Sequence, residues 1–113
     1  MKMEITEEEE GVVKVGLVGR LDSPGVDAIE TRLTGAVCPR GARTVVDLSG
    51  VEFIGSLGLR MFITIARTLG RRHGKLILYA PQPFVAQVLE TASLGDIIPV
   101  EPDAASALAA ARA

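Results

Sequence analysis

A single serine stands between two glycines in residues 55–58, where a strand-like pattern gives way to a helical one. The hydroxyl of Ser56 could cap that helix, accept a phosphoryl group, or act as a nucleophile. A nucleophile needs a base within hydrogen-bond reach, and the one histidine, His73, lies in the basic turn at residues 71–75. An enzyme is therefore the least favoured of these functions, because P-loop and dinucleotide-binding glycine patterns are also missing from the sequence.

Two properties of this segment favour a role beyond helix capping. Gly55 and Gly58 predict an accessible turn that the backbone of a second protein could approach closely. A phosphate on Ser56 would lie at the positive end of the helix dipole, where a folded domain tolerates it. It would add up to about two negative charges to the surface and could repel a partner without unfolding the domain.

The helix that begins at Ser56 is apolar on more than one side. One stripe has the spacing of a core face and consists of Leu59, Phe62, Ile63, Ala66 and Leu69. A second stripe on the opposite side begins beside Ser56 and consists of Leu57, Met61 and Ile65. Either the C-terminal helix covers this second stripe, or the stripe is offered to a partner.

Hydrophobic periodicity predicts the elements that position this segment. The predicted order is a hairpin at 2–8 and 12–18, a helix begun by Ser23 and Pro24 and ending near Ala36, a strand at 44–48, a helix at 56–70, a strand at 75–79, a helix opened by Pro81 and Pro83 and ending near Leu94, an extended piece at 97–100 and a helix at 102–113. Strands that alternate with helices indicate an α/β domain with parallel crossovers.

Composition narrows the classes of function. The 113 residues give room for one domain, 1–113, and a net charge of −2 argues against a direct nucleic-acid binder. One cysteine, Cys38, cannot form an internal disulfide or a zinc site, so a reducing, cytoplasmic setting is expected. The apolar runs are too short for a membrane span, which needs about 20 residues. The sequence predicts no metal site, no cofactor and no membrane partner.

Motifs in order along the whole chain resemble a STAS domain of the anti-sigma factor antagonist type. The matching segments are Gly-Arg-Leu-Asp at 19–22, Val-Asp-Leu-Ser-Gly-Val at 46–51, Phe-Ile at 53–54, Ser56 with Gly58 and Leu59, Gly-Lys-Leu-Ile-Leu at 74–78, and Pro83 through 88–90 to Leu94. The resemblance covers roughly residues 3–112.

This resemblance implies a fold, a function and a set of contact residues. The fold is a mixed sheet of about four or five strands with about four helices packed against it, and it has no catalytic activity. In this family the serine at the position of Ser56 is phosphorylated by an anti-sigma factor that is also a serine kinase of the histidine-kinase-like ATPase type. The unphosphorylated antagonist binds that kinase and frees the sigma factor, and a serine phosphatase resets the phosphorylated form. Asp22 matches an aspartate near the phosphorylation loop, and the predicted partner contacts are Asp22, Ser23, Gly55, Leu57, Gly58, Met61 and Ile65.

The loop departs from the family pattern at two positions. The family commonly has Asp-Ser-Ser-Gly, whereas this chain has Gly55, Ser56, Leu57 and Gly58. The acceptor serine is kept, the preceding acid is lost, and the second serine is a leucine. Two functions stay open: a phosphorylation-switched antagonist, and a scaffold or sensor-complex subunit of another signalling pathway that uses the same fold without phosphorylation.

Overall fold

A five-stranded sheet with four α-helices forms the domain, and this confirms the predicted mixed α/β architecture. The computed structural model describes the backbone of residues 1–113 and the side chains of residues 1–8 and 10–113. The elements in chain order are β1 (Lys2–Glu7), β2 (Val12–Leu21), α1 (Ser23–Val37), β3 (Arg43–Ile54), α2 (Ser56–Arg71), β4 (Lys75–Tyr79), α3 (Pro83–Thr91), β5 (Val100–Glu101) and α4 (Ala104–Arg112). Short 3₁₀ turns lie at Glu9–Gly11 and Leu94–Asp96.

The strands lie in the order β1-β2-β3-β4-β5, with β1 antiparallel to β2 and the remaining neighbours parallel. Helices α1, α2 and α3 each connect neighbouring parallel strands in the same direction across the sheet. The strong preference for right-handed β–α–β crossovers therefore places these three helices on one face. As a result, α1, α2 and α3 begin along the same edge of the sheet, after the carboxyl ends of β2, β3 and β4.

Each face of the sheet has its own hydrophobic core. The larger core lies under α1, α2 and α3 and includes Val13, Val15, Leu17, Ile29, Leu33, Val46, Leu48, Phe62, Leu69, Leu78, Val85 and Leu89. The smaller core lies on the opposite face under α4 and consists of Val12, Val45, Ile77, Tyr79, Ala107 and Ala111. The C-terminal helix therefore covers the opposite face of the sheet and not the exposed side of α2. In the described part of the chain, no helix combines the length and the apolar character needed to cross a membrane.

Strand β3 differs most from the sequence prediction, which ended it at residue 48 and placed a loop before Ser56. The strand instead continues to Ile54 and pairs with β2 up to the partners Leu21 and Ile54, with two register shifts on the way. Gly50 permits this pairing, because a Cβ there would lie 2.8 Å from the carbonyl oxygen of Leu17. Ser56 is thus attached directly to a paired strand of the sheet rather than to a free loop.

Candidate functional site

The backbone at Gly55 and Ser56 sets the geometry of the predicted site. Gly55 is the N-cap of α2, its N–H donates to the carbonyl oxygen of Leu21 at 3.0 Å, and its own carbonyl accepts from Leu59 N–H at 3.1 Å. Ser56 is the first helical residue, it is exposed, and α2 has no side-chain cap. The prediction that Ser56 caps the helix is therefore wrong. Its hydroxyl lies at the positive end of the helix dipole and makes no capping hydrogen bond.

The start of α1 lies beside the start of α2, because the preceding residues Leu21 and Ile54 are paired across β2 and β3. Asp22, and not Ser23 as predicted, caps α1: its Oδ1 accepts from Gly25 N–H at 2.9 Å. Its Oδ2 lies 3.3 Å from Arg20 Nε. The hydrogen bond from Gly25 is the main cause that lowers the pKa of Asp22, and the Arg20 guanidinium adds to it.

Three of the predicted partner contacts, Gly58, Met61 and Ile65, are buried. The prediction that Met61 and Ile65 form an exposed stripe with Leu57 is therefore wrong. Met61 and Ile65 are 1% and 2% exposed and lie in the larger core. Gly58 is also buried, where a Cβ would lie 2.9 Å from Ile54 Cγ1 and 3.1 Å from Leu21 Cβ. Its lack of a side chain lets α2 pack closely on β2 and β3 and does not open the turn to a partner.

The rotation of α2 about its own axis explains this correction. The helix turns Gly58, Met61, Phe62, Ile65 and Leu69 toward the sheet. Three members of the predicted core stripe, Leu59, Ile63 and Ala66, lie at the edge of the core and are only partly buried. Leu57 is 38% exposed and lies beside Ser56, so it alone of the second stripe can meet a partner.

An aromatic stack beside Ser56 was missed by sequence reasoning. The rings of Phe53 and Phe84 lie 6.1 Å apart at 18°, and the guanidinium carbon of Arg20 lies 4.4 Å from the centre of the Phe53 ring. A Cβ at Gly55 would be 3.4 Å from Phe53, so the stack adjoins the start of α2. Phe84 is 52% exposed, which leaves an apolar surface next to the serine.

His73 cannot serve as a base for Ser56. The two residues stand at opposite ends of α2, whose 16 residues span roughly 24 Å at about 1.5 Å per residue. Cys38 is buried at the end of α1, and this burial raises the pKa of its thiol. Neither residue therefore forms a catalytic pair with Ser56.

Comparison with known proteins establishes the family to which this fold belongs. The family model of the STAS domain matches residues 5–107. The chain belongs to the STAS domain family. BtrV of Bordetella bronchiseptica, named as a proposed anti-sigma factor antagonist, is 31% identical to this chain over 101 residues, which cover 89% of this chain and 87% of BtrV.

Solved structures of anti-sigma factor antagonists have the same fold as this STAS domain. One from Mycobacterium paratuberculosis is 30% identical with a TM-score of 0.86, and the match covers 99% of this chain and 94% of that protein. The antagonist SpoIIAA in its unphosphorylated form has a TM-score of 0.78 at 22% identity, with 98% of this chain and 96% of SpoIIAA covered. The phosphorylated form of Bacillus SpoIIAA has a TM-score of 0.71 at 22% identity, with 95% and 96% covered.

Proposed function

We propose that this chain is an anti-sigma factor antagonist that binds an anti-sigma factor through the surface around Ser56 and is released when Ser56 is phosphorylated. The observation that carries the proposal is the exposed hydroxyl of Ser56 at the first position of α2, free of a capping role, in a STAS domain. We further propose that residues 1–113 act as a single STAS domain in the cytoplasm, that the anti-sigma factor is a serine kinase of the histidine-kinase-like ATPase type, and that a serine phosphatase reverses the modification.

The surroundings of Ser56 suit contact with a protein. Leu57 and Phe84 are 38% and 52% exposed, and Phe84 continues into the stack with Phe53. Exposed leucine and phenylalanine side chains next to a polar group supply apolar area that a partner can bury. Of the predicted contacts, Asp22, Ser23, Gly55 and Leu57 lie on or near this surface, whereas Gly58, Met61 and Ile65 support it from below.

A phosphate on Ser56 is compatible with the folded domain. The first turn of α2 holds no acidic residue, so the phosphate would meet the positive end of the helix dipole without a competing carboxylate on that turn. Arg60 is exposed one turn further along the helix, at the i+4 spacing that allows a side-chain pair. The modification therefore changes the charge presented to the partner while the structure of the antagonist stays the same.

The glycine that stands in place of the family's acid lies in ordinary extended backbone. Gly55 has φ −108° and ψ −173°, which is extended backbone open to any residue. An aspartate at position 55 could therefore adopt the same backbone conformation, so the turn before Ser56 does not require a glycine.

Incubation with the candidate kinase and ATP, followed by intact-mass measurement, tests the proposal. We expect a gain of about 80 Da at one site, lost in Ser56→Ala and retained in Ser49→Ala, an exposed serine on β3 that serves as the matched control. A stable complex with the kinase but no mass gain would favour the second candidate, a STAS scaffold without a phosphoserine cycle. The specific observation behind that candidate is Leu57, which places an apolar side chain where the family has a second serine.

A further inference from the structure

Charge is distributed unevenly along this chain. No aspartate or glutamate occurs in residues 53–89, while the same segment contains Arg60, Arg67, Arg71, Arg72 and Lys75. The segment therefore carries a charge of +5, and the rest of the chain carries −7, with seven basic and fourteen acidic residues. A protein with a net charge of −2 thus presents a distinctly basic element in α2.

Three arginines of α2 form a row on its outer face. Arg60, Arg67 and Arg71 are exposed and, at about 100° per residue, fall with Ser56 within a sector of about 60°. Among the described side chains, the ion pairs use other arginines: Arg20 with Asp22, Arg40 with Glu7, and Arg112 with Glu10. The three arginines of the row on α2 therefore form no ion pair with the described carboxylates of this chain.

An apolar groove runs beside this row, between α2 and α3. Its lining residues are Leu59, Phe84, Gln87, Val88, Thr91 and Ala92. Leu59 and Val88 pack on the edge of the larger core and keep part of their surface exposed, and Phe84 is 52% exposed. Ile63, one turn after Leu59, continues the apolar flank of α2 toward Arg67. Basic and apolar surfaces thus lie side by side along the helix.

We propose that the α2–α3 groove binds an acidic amphipathic helix of a partner protein. The apolar side chains of that helix lie on Leu59, Phe84 and Val88, and its carboxylates pair with Arg60, Arg67 and Arg71. Helix-in-groove recognition uses this combination of an apolar seam and flanking charges, and complementary charge also steers the encounter. The surface shares Phe84 and Arg60 with the one proposed for Ser56 and extends its contact area along α2, and binding of the acidic helix does not require phosphorylation.

An acidic protein segment fits this surface better than a nucleic acid does. A nucleic acid would meet three arginines on α2 but also the charge of −7 carried by the rest of the chain. The groove beside the arginines offers apolar carbon surface to side chains, and a phosphate backbone makes no use of it.

A titration of the ¹⁵N-labelled chain tests this inference without any kinase, so its outcome is separate from that of the proposed function. The probe is a designed peptide that forms an amphipathic helix of leucine and glutamate, and the control peptide has lysine at every glutamate. We expect amide chemical shift changes along α2 and α3 with the acidic peptide only. Because salt screens exposed charges, roughly 0.5 M salt should weaken the binding of this peptide. A single-stranded DNA of about 12 nucleotides tests the nucleic-acid alternative, because its length is on the order of the site size of a single-strand-binding groove.

Matched variants make the result specific. Arg67→Glu should weaken binding of the acidic peptide at least about fivefold, since it removes one ion pair and adds a like charge. Arg32 is exposed on α1, and Arg32→Glu makes the same change of charge away from the groove. It should leave the affinity for the acidic peptide unchanged. Equal binding of both peptides, shifts confined to other surfaces, tighter binding of the DNA, or no effect of Arg67→Glu would each overturn the proposal.

Discussion

The second stripe of α2 provides a quantitative test of the structure, because its members Leu57 and Met61 were expected to behave alike and the structure separates them. Met61 is 1% exposed in the larger core, so Met61→Ala should lower the free energy of unfolding by about 2–5 kcal/mol through lost burial and a residual cavity. Leu57 is 38% exposed and does not join either core, so Leu57→Ala should cost about 1 kcal/mol or less.

Thermal unfolding followed by circular dichroism measures both changes. A domain of 113 residues has an unfolding entropy near 0.24 kcal/mol/K at about 2.1 cal/mol/K per residue, so 1 kcal/mol shifts Tm by about 4 °C. We expect Met61→Ala to lower Tm by about 8–20 °C and Leu57→Ala by about 4 °C or less. A Met61→Ala protein with unchanged Tm, or a Leu57→Ala protein that unfolds first, would refute the orientation of α2.

Three further properties follow from the same structure. Gly58→Ala should lower the free energy of unfolding by about 1–3 kcal/mol in a urea titration, because the new methyl group would press on Ile54 and Leu21; an unchanged midpoint would contradict that packing. The Asp22 cap has a lowered pKa in the folded state, so its stabilisation is complete above the unfolded pKa and is lost as pH falls below about 4. Asp22→Asn should keep the cap and remove that part of the pH dependence, whereas identical pH profiles for both proteins would exclude the cap. Cys38 should react slowly with iodoacetamide at pH 8 in the folded protein and rapidly in urea, since burial raises the pKa of its thiol; equal rates would show that the site is open.

Hydrophobic periodicity and the positions of glycine and proline predicted most of the helices and strands. The strand at 75–79 agrees with β4, and the helix at 56–70 agrees with α2 to within one residue. Gly74 precedes β4 and Gly55 precedes α2, and both elements have strongly patterned interiors, so local signals suffice there. The capping residues were predicted less accurately. Asp22 rather than Ser23 caps α1, because the carboxylate of the aspartate one residue earlier reaches Gly25 N–H.

Tertiary contacts decided what the sequence could not. The polar residues after Leu48 are typical of a loop, but pairing with β2 keeps them extended to Ile54. Apolar residues on more than one side of α2 left its rotation ambiguous, and only its packing on the sheet identifies Met61 as core. The contact of Phe53 with Phe84 joins positions 31 residues apart and has no local sequence signal.

We propose that phosphorylation of Ser56 controls binding to an anti-sigma factor. Isothermal titration of the purified antagonist with its candidate kinase, in the presence of ADP, measures this directly before and after stoichiometric phosphorylation. We predict that the phosphorylated protein binds at least about tenfold more weakly, a difference of about 1.4 kcal/mol, while its Tm stays the same. Equal affinities for the two forms, with phosphate verified on Ser56, would show that phosphorylation does not control binding.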